Sequence, residues 1–290
     1  MKRAILVDST ANIGKELYHH KDIYQVNLNV YFEDDGLMFT DTWDESKMGA
    51  FYDKMRTSDT LPTTSQPSPQ DFVNQFDAIK QAGYDSVMVF PIASQISGTY
   101  QTAKMIADDY EDDLDIYIVD TGTGSYGVKN MVEHTLKWYQ AGYSNETILD
   151  KLQVLIEHTK VFGAIHDVTN FVKGGRISHI SGKLAGVLKV GAVFSVYHGK
   201  IAAEKIARGK KRVRQAMDKI IDGYIKKEAG MAYRLAVVHA NIHDTAKEKA
   251  QMLREKYPEA IDVIEENITI VLGTQLGEDM YAYIYLPEID

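Results

Sequence analysis

Two hydroxyl-rich clusters stand out first, because side chains of this kind can hold an anionic head group without themselves carrying charge. One is Pro62-Thr63-Thr64-Ser65-Gln66-Pro67-Ser68-Pro69, in which three prolines stiffen a loop and four hydroxyl residues with a glutamine supply donors and acceptors. Ser68-Pro69 is also a good helix start, so a capping role stays open for this loop. The other is Ala93-Ser94-Gln95-Ile96-Ser97-Gly98-Thr99-Tyr100, placed directly after an apolar run that ends at Pro91. Hydroxyls and backbone N–H groups there lie at the start of the following helix, whose positive dipole end favours a carboxylate or phosphate. An ordinary N-cap explains one serine, but two serines and a Gly-Thr pair exceed what a cap needs.

Three further patterns invite chemical readings. Gly122-Thr123-Gly124-Ser125-Tyr126-Gly127 fits G-x-G-x-x-G after an apolar run. The acidic partner that dinucleotide binding needs would be Glu146, which sits in what reads as a helix start instead of at a strand end, so the glycines are expected to serve backbone geometry. Lys173-Gly174-Gly175-Arg176 projects two cations from a Gly-Gly turn without Walker spacing, and Lys205, Arg208, Lys210, Lys211, Arg212 and Arg214 form a basic stretch. Such surfaces serve phosphate transfer or an acidic partner, or are plain solvated faces. Catalytic signatures are scarce: there is no G-x-S-x-G elbow, no H-E-x-x-H and no cysteine. His239 and His243 have the i, i+4 spacing of metal ligands, yet Ala-Asn-Ile between them reads as a strand end turning into a helix, and no metal is expected.

The elements that must position these residues follow from hydrophobic periodicity. Ala4 to Val7 reads as a buried parallel strand ending at Asp8-Ser9-Thr10, which can cap a helix over Ile13 to Tyr18. Ser86 to Pro91 and Asp115 to Asp120 repeat the pattern, with amphipathic stretches Pro69 to Ala82 and Thr99 to Tyr110 beside them. This alternation implies a parallel sheet with helices on both faces and ligands near the carboxyl ends of its strands. A helix closing over Gln153 to Thr159 places a boundary near residue 158, giving lobes 1–157 and 158–290. In the second, smaller α/β lobe, the apolar runs Val190 to Tyr197, Leu235 to His239 and Ile268 to Leu272 alternate with helices Lys210 to Lys227 and Asp244 to Tyr257.

Bulk composition narrows the function classes. The 290 residues exceed one small core, and 44% apolar with 25% charged residues is the balance of a folding globular chain. A net charge of -9 argues against tracking a phosphate backbone, so nucleic acid is not an expected partner. The absence of cysteine excludes disulfides and thiolate metal sites and suits a reducing compartment such as the cytoplasm. Ala4 to Val7, broken by Asp8, is too short for a signal-peptide core, and no apolar run reaches the roughly 18 residues a membrane span needs.

Taken in order and spacing, Asp8-Ser9-Thr10, Thr64-Ser65-Gln66-Pro67, Ser97-Gly98-Thr99-Tyr100, Val119-Asp120-Thr121 and Lys173-Gly174-Gly175-Arg176-Ile177-Ser178 resemble the DegV family over essentially the whole chain, and Val238-His239-Ala240-Asn241 looks like a further family element. The resemblance implies a two-lobed α/β fold, an N-terminal parallel sheet flanked by helices plus the second lobe, with one long-chain fatty acid in a tunnel between them. It implies a carrier without cofactor or catalytic residues, which presents the acyl carboxylate to a separate fatty acid kinase and carries the acyl phosphate onward. By that likeness Thr64, Ser97, Gly98, Thr99 and Gln275 surround the head group, and Lys173, Arg176 and Arg208 serve the kinase or the phosphate. Gln275 and Asp279 depart from the family pattern, which has histidine and glycine there. Glutamine can donate to a carboxylate but carries no charge, and Glu278 and Asp279 would repel an anion if they faced it. The Lys-Pro pair common in the family is likewise missing from Leu188 to Val193.

Candidates for an apolar wall are Ile96, Ile165, Phe171, Ile177, Leu184, Val187, Leu188 and Phe194, although core packing suits each of them as well. A soluble chain of this kind is compatible with transient membrane contact. Two rivals use the same cavity: a hydrolase or phosphotransferase with Ser97 as nucleophile near Thr64 and either His239 or His166, and a regulatory protein that responds to lipid occupancy.

Overall fold

The computed structural model describes residues 2–42, 44–176, 190–228 and 230–290. Strand β1 (Arg3–Asp8) shows why the first layers form. Its side chains alternate faces, so Ile5 and Val7 pack with one set of helices while Ala4 and Leu6 pack with another. On one side lie α5 (Tyr126–Gln140) and α6 (Asn145–His158); on the other lie α3 (Pro69–Gln81) and α4 (Thr99–Ala107). β1 pairs in parallel with β2 (Ile23–Val26) and β6 (Ser86–Phe90), and β6 pairs with β7 (Asp115–Ile118), giving the order β2-β1-β6-β7. Helix α3 starts where expected, on a reciprocal Ser68–Asp71 capping box with Pro69 in its first turn.

The second sheet has the order β10-β9-β8-β13-β11-β12, drawn from β8 (Lys160–Ile165), β9 (Gly191–Tyr197), β10 (Lys200–Ala207), β11 (Tyr233–His239), β12 (Val263–Asn267) and β13 (Tyr281–Pro287). Only β11 and β12 run parallel; the other pairs are antiparallel. One face carries Phe162, Leu235, Val237, Tyr283 and Tyr285 against the helices at Lys210–Lys227 and His243–Lys256. The other carries Val161, Phe194, Val196, Val238, Ala282 and Ile284, and it faces the rest of the chain. The run Ile268 to Leu272 is not a strand. Thr269 has extended backbone, and a helix over Ile270–Leu276 follows, while the adjacent strand is Val263–Asn267.

A third, three-stranded antiparallel sheet was not foreseen. It consists of β3 (Asn29–Tyr31), β4 (Met38–Thr40) and β5 (Thr63–Ser65). The expected stiff loop at residues 62–69 is therefore partly a strand, with Thr64 opposite Val30. Val30, Phe32 and the α2 (Glu45–Thr57) residues Met48, Phe51 and Tyr52 pack into the cluster on the inner face of the second sheet.

One buried carboxylate joins these layers. Asp41, just beyond β4, accepts from Ser9 Oγ at 2.8 Å and from the Val271 N–H at 3.0 Å, in the first turn of helix Ile270–Leu276. Burial pushes its pKa up to about 7 against the hydrogen bonds, and burial likewise pushes that of neighbouring Asp8 up to about 6. Both folded values lie above the ordinary carboxylate value of 3.8, so the fold favours the protonated forms. Their stabilising contribution is complete below about pH 4 and is lost as pH rises through about 6 to 7. Asp41→Asn should flatten the fall in stability across that window, measured by urea unfolding at pH 4, 5.5 and 7. A variant whose pH profile parallels the wild type would contradict this account.

Candidate functional site

Between the inner face of the second sheet and the carboxyl ends of the first sheet's strands lies a cavity of about 110 Å³. Roughly 10 to 15 Å³ on this measure holds one water, so the space suits a chain of atoms better than an isolated solvent molecule. Its wall is almost wholly apolar. Val161, Phe194, Val196, Val238 and Ile284 come from the sheet, Ile92 and Ile96 from the segment after β6, and Phe171 from the helix Thr169–Lys173. Val271, Leu272 and Leu276 line it from the helix that Asp41 anchors.

Polar side chains interrupt this wall at few places. Thr64, Ser97, Arg176 and Gln275 all line the cavity. Gln275 Nε2 donates to Thr64 Oγ1 at 2.9 Å, so the Thr64 hydroxyl proton remains free for a further acceptor. The Gln275 amide is wedged in place, because a Cβ on Gly174 would fall 2.0 Å from its Oε1. Ser97 Oγ lies 2.8 Å from Thr99 Oγ1 and accepts from the Thr99 N–H at 3.3 Å. Thr99 itself is buried away from the cavity and orients Ser97; Gly98 provides the room that Gln66 fills, since a Cβ there would lie 2.1 Å from Gln66 Oε1.

Arg176 also lines two surface clefts that flank the mouth, one with Thr64, Lys173 and Gln275, the other with Gln95, Ile96 and Lys200. Lys173 thus belongs to the mouth but not to the cavity. Arg208 is not brought there: it lines a separate cleft between β10 and the helix Lys210–Lys227. The acidic pair feared for repulsion is occupied elsewhere. Glu278 pairs with Arg56 at 2.5 Å and accepts from Asn241, Asp279 pairs with Lys210 at 3.0 Å, and neither lines the cavity. Asp279 holds φ +73, a conformation that favours glycine.

Among the expected wall residues, Ile96, Phe171 and Phe194 line the cavity. Ile165 packs in the same apolar cluster without lining it, because the Phe194 ring lies over Gly163, where a Cβ would come within 2.1 Å of the ring, and takes that stretch of wall. Ile177, Leu184, Val187 and Leu188 lie outside the described residues. Thr10 and Ser125, not singled out from the sequence as ligand contacts, also line the cavity.

The glycine-rich turn does structural work. Gly122 has φ +61, and its carbonyl accepts the Gly199 N–H at 2.7 Å, bringing the β9–β10 hairpin against the first sheet. A Cβ on Gly127 would meet Thr123 Oγ1 at 2.6 Å and Cγ2 at 2.7 Å. Glu146 lies exposed in the first turn of α6.

His239 and His243, whose sharing of a face the sequence left open, do meet: Asn241 at φ +57 turns the chain so that the rings lie edge to face, 4.8 Å between centroids, beside Glu265. Their ring nitrogens have partners. His239 Nδ1 faces the Ile242 N–H at 3.3 Å and Nε2 faces Glu265 at 2.9 Å; His243 Nε2 faces Asn267 Nδ2 at 3.2 Å and Nδ1 lies 3.9 Å from Glu265. Burial holds His239 below the usual imidazole range, so its Nε2–H donates to Glu265 while Nδ1 accepts from the Ile242 N–H. Neither His239 nor His166 lines the cavity that Ser97 lines, so among the described residues neither histidine stands beside Ser97 as the base a nucleophile requires.

The DegV family model matches residues 2–288. The chain belongs to the DegV family. A DegV domain-containing protein of Streptococcus pyogenes is 28% identical over the full length of both chains. Among solved structures, a DegV lipid binding protein from Thermotoga maritima has 27% identity, covers 99% of each chain and superposes with a TM-score of 0.84. A fatty acid binding DegV family protein from Streptococcus agalactiae has 26% identity over 100% of each chain and a TM-score of 0.87. Among the described residues of this DegV chain, no helix is long and apolar enough to cross a membrane.

Two glycines of this DegV chain should respond differently to alanine. Gly127→Ala drives a methyl into the buried Thr123 side chain and should cost about 1 to 3 kcal/mol in urea unfolding. Gly174→Ala meets chiefly the movable end of the Gln275 side chain, with the Asn170 carbonyl at 3.2 Å, so it should cost less than about 1 kcal/mol while displacing the amide from Thr64 in a crystal structure of the variant. Equal destabilisation by both substitutions would contradict this reading.

Proposed function

We propose that this DegV chain is a cytoplasmic lipid carrier that holds one long-chain fatty acid between lobes 1–157 and 158–290 and presents its carboxylate to a separate ATP-using kinase. The observation that carries the proposal is the distribution of polarity in the cavity, where a long apolar wall ends at hydroxyl, amide and guanidinium groups beside the mouth clefts. The fatty acid binding stated for the Streptococcus agalactiae relative supports the same reading.

Each buried methylene contributes about 0.8 kcal/mol, so the chain supplies most of the affinity and the polar end supplies orientation. Thr64 and Ser97 donate to the carboxylate, Gln275 holds Thr64 and offers its remaining N–H, and Arg176 adds the positive charge that an uncharged glutamine lacks. An ionised carboxylate at the mouth stays reachable by a phosphoryl donor. Lys173 and Lys200 flank that mouth and suit the kinase surface or the acyl phosphate, while transient contact with a membrane delivers or receives the acid. Arg208, in its separate cleft, contributes to docking at a distance.

Organic extract of the freshly purified protein should contain a long-chain fatty acid near one equivalent by mass spectrometry. Ser97→Ala should weaken binding about tenfold, the value of one charge-assisted hydrogen bond, and Gln275→His should strengthen it. With a reconstituted kinase, Lys173→Glu should slow acyl phosphate formation while the purified protein still carries its acid. An empty extract together with no binding on titration would sink the carrier reading, and turnover of an ester by the protein alone would favour the Ser97 enzyme.

A further inference from the structure

Ser125 is a polar residue of the cavity that stands outside the proposed head-group set of Thr64, Ser97 and Gln275. It is 6% exposed, lines the cavity, and its Oγ is buried without a hydrogen-bond partner. It stands at the N-cap of α5, a position where serine ordinarily accepts from the helix's first N–H groups, yet it makes no such bond. The reason is its backbone, φ +53 and ψ −138, a conformation that L side chains rarely adopt and that costs on the order of 1 to 3 kcal/mol. A buried unsatisfied hydroxyl in a strained backbone is costly twice over, and neither feature helps the helix begin.

Thr10 gives the second half of the arrangement. The turn Ser9–Ala11 packs against α5, and Thr10 lines the same cavity. Thr10 Oγ1 donates its proton to Asp8 Oδ1 at 2.5 Å, so toward the cavity it offers only lone pairs. Ser125 Oγ retains a free proton. Together they form a donor and an acceptor, the complement of an alcohol, which needs one of each. Thr64, Arg176 and Gln275 line the mouth clefts as well as the cavity, whereas Thr10 and Ser125 line the cavity alone. Ser97 shares that placement, so the pair stands with it away from the mouth clefts.

We propose that Ser125 and Thr10 form a second polar station, which recognises a hydroxyl group carried along the hydrocarbon of the bound acid. This rests on the fatty-acid reading of the cavity and refines its ligand to hydroxylated long-chain acids. Ser125 donates to the ligand hydroxyl, and that hydroxyl donates to Thr10. An unsubstituted chain leaves Ser125 unsatisfied against methylene groups, so the site discriminates by penalty as well as by attraction.

The test is a positional series of hydroxyoctadecanoic acids titrated against octadecanoic acid, with delipidated wild type, Ser125→Ala and Ser125→Gly. Glycine suits the φ of this position and alanine keeps the volume, so a folding defect in one variant is controlled by the other. We expect one positional isomer to bind the wild type about tenfold more tightly than octadecanoic acid, the worth of about one satisfied hydrogen bond. Both variants should lose that preference, and octadecanoic acid should bind them more tightly than it binds the wild type. If octadecanoic acid binds well but no isomer is preferred, or the preference survives in both variants, the station is wrong and the carrier reading stands. A protein that binds none of the acids overturns both.

Discussion

The architecture turns on one buried carboxylate. Asp41 directly follows β4 of the small third sheet, accepts from Ser9 at the end of the first sheet's leading strand, and accepts the Val271 N–H from the helix that carries Gln275. A carboxyl group in this position is expensive to bury, which is why its acidity is shifted toward neutrality, and it is tolerated because it satisfies donors from two otherwise separate layers. The same sheet presents Thr64 on β5, so anchoring the helix to β4 fixes Gln275 against Thr64 across a single 2.9 Å bond. The placement of Gln275 against Thr64 at the cavity wall thus follows from an interaction that lies outside the cavity.

The cavity itself follows from a mismatch between faces. The outer face of the second sheet is filled by helices and by stacked tyrosines such as Tyr233 and Tyr285. The inner face has smaller residues at Val161, Val238 and Ala282, and what opposes it is a set of strand ends and a short three-stranded sheet that cannot interdigitate along its full length. Gly163 and Phe194 tune the remaining width, the ring occupying the space that the absent side chain leaves. Packing at native density elsewhere makes such a gap costly unless something apolar fills it, so the proposed fatty acid should stabilise the fold as it binds.

Much of this was legible from residue order, and the exceptions have physical causes. The first sheet was readable because Ala4 to Val7 and Val87 to Phe90 are unbroken apolar runs, and Ser68 and Ser144 announce their helices by capping chemistry. The small sheet was not, since Thr63-Thr64-Ser65 and Met38-Phe39-Thr40 are too short for a period to show, and the prolines around Thr64 suggested a loop. Ile268 to Leu272 looked like a strand because a helix start buried among apolar neighbours has no polar face to betray its turn. Thr64, Ser97 and Gln275 could be named in advance through likeness to a family. Asp41 and Ser125 could not, because their importance lies in what they lack or join, and only the three-dimensional neighbourhood shows that.

The most direct test of the central claim is a crystal structure of the delipidated protein reloaded with octadecanoic acid bearing bromine on its terminal carbon. The account predicts one anomalous bromine peak within the cavity between the two larger sheets, with carboxylate density in hydrogen-bond contact with Thr64 and Ser97 at the mouth. Bromine at the mouth with the carboxylate inside, or a ligand seated on the outer surface with the cavity closed, would contradict it.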